Sequence, residues 1–168
     1  KAWISQLNGD EDPTSQLEAI DALAAWPTRE TAMALSGRFG DAKTLPQVRA
    51  AVVRGIAPMT GADDAVAALL DKALTDTDPR VREAAAEVLG GRTRDQAGAA
   101  VAKLLADPSP YVRAAAARAL GKLHVDGAFD TLRGLLVQDS HRETVRAGAL
   151  DGLAALGDRR ALEVAGPF

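Results

Sequence analysis

The 168-residue chain contains no cysteine, so disulfides and thiolate metal sites are excluded, while reducing and oxidising compartments both stay open to it. Aromatic residues make up only 4% of it, although apolar residues make up 47%. The apolar mass is therefore mostly Ala, Leu and Val, which suits closely packed helices better than a half-buried sheet. Long apolar runs are missing as well: none approaches the ~20 residues that span a bilayer, so no membrane partner is expected. Nor does charge of one sign dominate. Twenty basic residues are interspersed with 23 acidic ones, for a net charge of −3 and an isoelectric point near 5.4. That balance calls for no polyanion. Nucleic-acid binding would need a basic groove with stacking aromatics, and Trp3, Trp26, Phe39 and Phe129 stand where core packing accounts for them.

Catalytic constellations are scarce too. The two histidines, His124 and His141, belong to no His-Glu pair, and no HExxH is present. A catalytic zinc takes three protein ligands, which two scattered histidines do not suggest. Gly90-Gly91 lacks the Lys-Ser/Thr that completes a phosphate loop. The chain is expected to hold no catalytic residue, no metal and no cofactor.

What it does contain is a period. "DPRVREAAAEVLGG" (78–91) returns as "SPYVRAAAARALGK" (109–122) 31 residues later. Anchored on the Val of Val-Arg, the copies fall at Val48, Val81, Val112 and Val145, and a fifth, weaker copy has Ser15 in that column. Four residues on stand Ala19, Val52, Ala85, Ala116 and Ala149; eight on stand Leu23, Ile56, Leu89, Leu120 and Leu153. Offsets of 0, 4 and 8 share one helical face, so each unit carries one apolar stripe, and Ala in its middle lets helix backbones approach.

Helix starts are written in. Asp12-Pro13 and Asp78-Pro79 place an acceptor before a Pro at the first helical position, and Pro46 and Pro110 hold the same offset. The last unit lacks that Pro but offers Ser140-His141-Arg142-Glu143, with the spacing of a capping box. Gly90-Gly91 and Gly157 read as helix stops. Second helices are expected over 29–39, 64–74, 96–106 and 128–138, and "AWISQL" and "RALEVA" read as partial copies at the two ends. One unit cannot bury its stripe alone, so units must stack. The fold class is all-α: an α-α superhelix, or right-handed α-solenoid, of about five helix pairs, forming a single domain over 1–168. The abrupt start and finish give the expectation of a fragment of a longer protein.

"DPRVREAAAEVLG", "DPSPYVRAAAARALGKL" and "TVRAGALDGLAALGDRRAL" resemble HEAT repeats, particularly the short bacterial kind related to the phycobilisome lyases. The resemblance covers essentially the whole chain. Unit one departs from it with Ser15-Gln16 in place of Val-Arg, and unit two with Leu45-Pro46 in place of Asp-Pro. A narrower resemblance joins "LLVQDSHRETVRAGALDGLAALGDRRALEVA" and "AWISQL" to the C-terminal helical-repeat region of bacterial gluzincin-type (M1) zinc aminopeptidases. That family's zinc motif lies upstream in another domain, so none of its catalytic residues carries over.

Three constellations remain to be weighed. Arg49, Arg82, Arg113 and Arg146 form a column one after the anchor. They read either as an anion-binding ladder or, in keeping with repeat packing, as structural positions bonding an Asp or loop carbonyls of their own or the next unit; Asp78, four before Arg82, is in helical reach. Six after the anchor, Asp21, Arg54, Glu87, Arg118 and Asp151 alternate in sign, as a solvated ion-pair ladder would. Tyr111, whose counterparts Thr14, Gln47, Arg80 and Thr144 are polar, is expected on a solvent face. With Arg80, Glu83, Glu87 and Arg118 it makes the best candidate for partner contact, the alternative being a Tyr that caps an inter-unit loop. The expected function is a monomeric, non-catalytic scaffold or binding module. Its partner is protein: its own upstream domain in an aminopeptidase, or another protein or peptide held on the concave face.

Overall fold

The computed structural model describes residues 1–9, 12–59 and 64–166. Prolines set the start of four helices. Pro13, Pro46, Pro79 and Pro110 are each the first residue of a helix, where a fixed φ helps and the missing N–H costs no hydrogen bond. Asp12 caps the first of these by accepting from Ser15 N (3.1 Å), and Asp78 Oδ1 accepts from Arg80 N (2.9 Å). Thr28 and Thr31 cap each other reciprocally at another helix start.

The described residues form eleven α-helices and no strand: α1 Ala2–Gly9, α2 Pro13–Ala24, α3 Arg29–Gly40, α4 Pro46–Gly55, α5 Asp64–Leu74, α6 Pro79–Leu89, α7 Arg94–Leu104, α8 Pro110–Lys122, α9 Ala128–Leu135, α10 Thr144–Leu156 and α11 Ala161–Ala165. Along the chain α2, α4, α6, α8 and α10 carry the anchors, each followed by a second helix at the sequence period, and the architecture is that of an α-solenoid. The chain divides into two compact units, Lys1–Val88 and Leu89–Phe168. In the first unit α2 packs on α4, α3 on α4 and α5, and α1 on α2 and α3. In the second, α8 packs on α7, α9 and above all α10.

The stripe is the core. Val48, Val81, Val112 and Val145 are buried, as are Ala19, Val52, Ala85, Ala116 and Ala149, and so are Leu23, Ile56, Leu89, Leu120 and Leu153. The anchor position of unit one is different: Ser15 Oγ, half-buried, accepts from Gln6 Nε2 (2.8 Å) and ties α1 to α2.

In the second unit the closest helix approach rests on glycine. A Cβ on Gly148 would stand 2.6 Å from the Ala114 main chain, one on Gly152 2.4 Å from Ala117 O, and one on Gly121 2.0 Å from Gly152 O. Backbone meets backbone along α8 and α10, and no side chain fits between.

Two expectations need correction. Trp26 is 73% exposed and Trp3 45%, so neither is a core residue, whereas Phe39 and Phe129 are buried. The helix α2 ends at Ala24 because Pro27 disfavours helical backbone at the residue before it, and Trp26 therefore leaves the stripe. At Leu156, its counterpart in the last unit, α10 still runs, and the side chain is half-buried. Second, Ser140–Glu143 is no capping box. His141–Glu143 is a 3₁₀ turn with Arg142 (φ 51°) and Glu143 (φ 56°) left-handed, and Ser140 Oγ accepts from Val145 N, five residues on (3.0 Å). Without Pro to fix the entry, α10 begins after a strained pair instead.

Candidate functional site

The arginine one after each anchor lies in the first turn of its helix and reaches back over the preceding loop. Arg49 forms a two-point pair with Asp76 of the next repeat (Nε–Oδ2 2.8 Å, Nη2–Oδ1 2.9 Å) and donates to Thr44 O (2.7 Å). Arg82 Nη1 donates to Asp76 O (2.7 Å) and Thr77 O (3.2 Å). Arg113 Nη1 does the same to Asp107 O (2.8 Å) and Pro108 O (3.2 Å). Arg146 Nε donates to Leu136 O (2.7 Å), and its Nη1 pairs with Glu143 (2.7 Å). Each guanidinium thus supplies donors to loop carbonyls that helix ends leave unsatisfied.

Electrostatics follow this geometry. Burial pushes the Asp76 carboxyl up, but the Arg49 fork and the Asp78 N–H outweigh it and hold it below the ordinary carboxylate value. Arg49 is raised in turn, first by its hydrogen bond to Asp76. Asp78 is lowered to about 2 by a two-point contact with Arg80 (Nη2–Oδ2 2.8 Å, Nε–Oδ1 3.0 Å). The i to i+4 spacing pointed Asp78 towards Arg82, but its two-point guanidinium partner is Arg80.

The alternating column six after the anchor forms rungs inside each unit. Arg54 Nε meets Glu87 Oε2 at 2.7 Å in the first, and Arg118 Nη1 stands 3.7 Å from Asp151 Oδ2 in the second. Of the residues singled out for partner contact, Arg80, Glu83 and Glu87 lie on α6 in the first unit, and Tyr111 and Arg118 lie on α8 in the second. Tyr111 is 47% exposed, and Arg80 and Glu87 are exposed while ion-paired. Met33, 59% exposed on α3, and Trp26 add large apolar surface in the first unit that sequence reasoning missed.

Among the described residues no group of three or more His, Asp or Glu side chains is placed to hold a metal ion. Among them also, no helix is long and apolar enough to cross a membrane. His141 sits in the 3₁₀ turn, and His124 follows α8 with a left-handed backbone (φ 48°); both are exposed.

Two solved structures share the fold, and a third is similar to a lesser degree. The complex of CpcE and CpcF of phycocyanin lyase from Nostoc sp. PCC7120 superposes with a TM-score of 0.56 at 19% identity, covering 96% of this chain and 78% of that one. A designed armadillo repeat protein in complex with the peptide (KR)4 gives 0.58 at 21% identity, covering 99% and 86%. Human deoxyhypusine hydroxylase in complex with glycerol gives 0.46 at 18% identity, covering 99% and 76%. No curated protein sequence matches the chain. Residues 1–90, 42–107 and 98–165 match the family of HEAT repeats, together spanning nearly the whole sequence. With its period, its buried columns and this match, the chain belongs to the HEAT-repeat family.

Proposed function

We propose that this chain is a non-catalytic binding scaffold that serves as the C-terminal repeat region of a bacterial zinc aminopeptidase and bears on that enzyme's catalytic domain. The observation that carries the scaffold reading is the division of labour among side chains. The recurring Val, Ala, Leu and Arg positions are occupied by packing and loop bonding, whereas large contact-forming residues are exposed elsewhere: Trp26 after α2 and Met33 on α3 in the first unit, Tyr111 at the start of α8 in the second. Aromatic residues and Met are enriched where partner proteins make contact. The aminopeptidase assignment draws on the likeness of the closing stretch and the "AWISQL" opening to that family's repeat region.

The test begins with the coding sequence upstream of Lys1. An HExxH helix with a downstream Glu ligand is expected there, and further repeats in its place would overturn the aminopeptidase assignment. The upstream domain, expressed separately, is expected to bind this chain in isothermal titration with a Kd on the order of micromolar or tighter. No heat of binding between two folded partners would refute the support role.

A second reading is a protein–protein adaptor that uses Arg80, Glu83 and Glu87 on α6, or Tyr111 and Arg118 on α8. Support for it comes from exposed Tyr111 in the second unit and exposed Arg80 and Glu87 in the first, and from the CpcE–CpcF and (KR)4 structures, in which this fold sits in complexes.

A further inference from the structure

The first unit contains a cavity of about 490 Å³ lined by Asn8, Gln16, Arg38, Asp41, Lys43 and Leu45 among others. Arg38, near the end of α3, is fixed in place: its carbonyl accepts from Thr44 Oγ1 (2.7 Å), and Thr44 O in turn accepts from Arg49. Its side chain is only 13% exposed, yet among the described residues its ion pair is a single 3.2 Å hydrogen bond from Nη1 to Asp41 Oδ2, and its Nε–H is buried without an acceptor there. That differs from Arg49 in the next helix, whose fork is fully engaged by a carboxylate. Asp41 engages one Nη1 donor of this largely buried guanidinium and Nε finds no acceptor, so a planar anion that reaches the remaining Nη donors from the cavity would stabilise it.

The rest of the lining selects among anions. Asp41 is already committed, since Oδ1 accepts from Lys43 N (2.9 Å) and Oδ2 from Arg38. Lys43 is exposed and its side chain has no ion pair among the described residues, so the ammonium is free to approach a ligand. Arg38 and Lys43 against Asp41 leave these lining residues one positive charge, which matches a carboxylate better than a dianionic phosphate. The Asn8 amide can meet a peptide group beside the carboxylate, and Leu45 gives the rim an apolar side chain.

We propose that this cavity binds a carboxylate-bearing peptide, through either a free C-terminal carboxylate or an acidic side chain, with Arg38 and Lys43 as the anion-holding pair. The site shares no residue with the contacts of the scaffold reading, so either can fail alone.

The experiment is an amide chemical-shift titration of the whole chain with four probes: acetyl-trialanine with a free carboxylate, the same peptide amidated, acetyl-Ala-Glu-Ala amide, and inorganic phosphate. Saturable shifts at Asn8, Gln16 and Lys43 with one or both carboxylate peptides are expected, and the comparison of those two identifies the source. Arg38→Gln weakens that binding by about ten- to hundredfold, the loss of one or two charge-assisted hydrogen bonds. Asp41→Asn tightens it, because a like charge goes while Oδ1 remains as acceptor. Should Arg38→Gln fail to fold, Lys43→Gln at an exposed position is expected to weaken binding in the same sense. Equal shifts with the amidated trialanine, tighter binding of phosphate, or no saturable binding by either carboxylate peptide overturns the proposal.

Discussion

Replacing glycine by alanine inside a helix ordinarily stabilises a protein, since alanine is favoured there by about 1 kcal/mol. At Gly152 the structure reverses that sign. The added Cβ would stand 2.4 Å from Ala117 O and 2.9 Å from Leu132 Cδ2, where ordinary contact begins near 3.4 Å. The nearer obstacle is main chain, which has no rotamer to change, so α8 and α10 must part by about 1 Å. Forced overpacking of this kind costs about 1–3 kcal/mol, and the separation also loosens the apolar face that the two helices share. The net expectation for Gly152→Ala, and for Gly148→Ala by the same argument, is a loss of about 1–2 kcal/mol. Gly37 on α3 and Gly134 on α9 provide the comparison, because nothing lies within 4 Å of a Cβ built on either. Gly37→Ala and Gly134→Ala should therefore gain about 0.5–1 kcal/mol. Urea unfolding followed by circular dichroism reads all four variants. A Gly152→Ala protein at least as stable as wild type would refute the close approach of α8 and α10.

Leu120 is buried in the stripe of α8, and Leu120→Ala is expected to cost ~2–5 kcal/mol in the same assay; an unchanged midpoint would contradict the register of the repeat. Asp76→Ala leaves the Arg49 fork without its carboxylate and should cost about 1–3 kcal/mol, more than Asp139→Ala on the exposed loop before α10. Asp78 titrates at about 2 when folded, below its ordinary 3.8, so its contribution to stability is present above pH ~4 and is lost as pH falls towards 2. Carboxyl-carbon NMR should show that low titration, and Arg80→Ala should move it back towards 3.8; an unmoved midpoint would remove Arg80 as its cause.

The repeat was legible because it is written in chemistry that acts locally. Pro at the first helical position, a cap before it and apolar residues at offsets 0, 4 and 8 specify a helix and its buried face without reference to distant chain. The arginine column was also readable as a position, although its partners were only partly so: Asp76 lies 27 residues from Arg49, and nothing near Arg49 announces it. What depends on three-dimensional approach was not legible. Gly148 and Gly152 sit at offsets 3 and 7, beside the Ala column that seemed to allow close packing, and their role appears only once α8 lies against them. Trp26 continues the apolar spacing of α2 on paper, and Pro27 was the available signal that the helix stops first. The cavity at Arg38 had no sequence signature beyond an Arg and an Asp three apart, a pair that most exposed helix ends would satisfy on their own.

The scaffold account is tested most directly by titrating the proposed aminopeptidase catalytic domain against the wild-type chain, a Trp26→Ala/Met33→Ala variant and a Tyr111→Ala/Arg118→Ala variant. All are compared at matched thermal stability. The account predicts micromolar or tighter binding to the wild type and a loss of at least about tenfold in one of the two variants, as removal of a contact residue gives. Unchanged affinity in both variants, or no binding to the wild type, would contradict it.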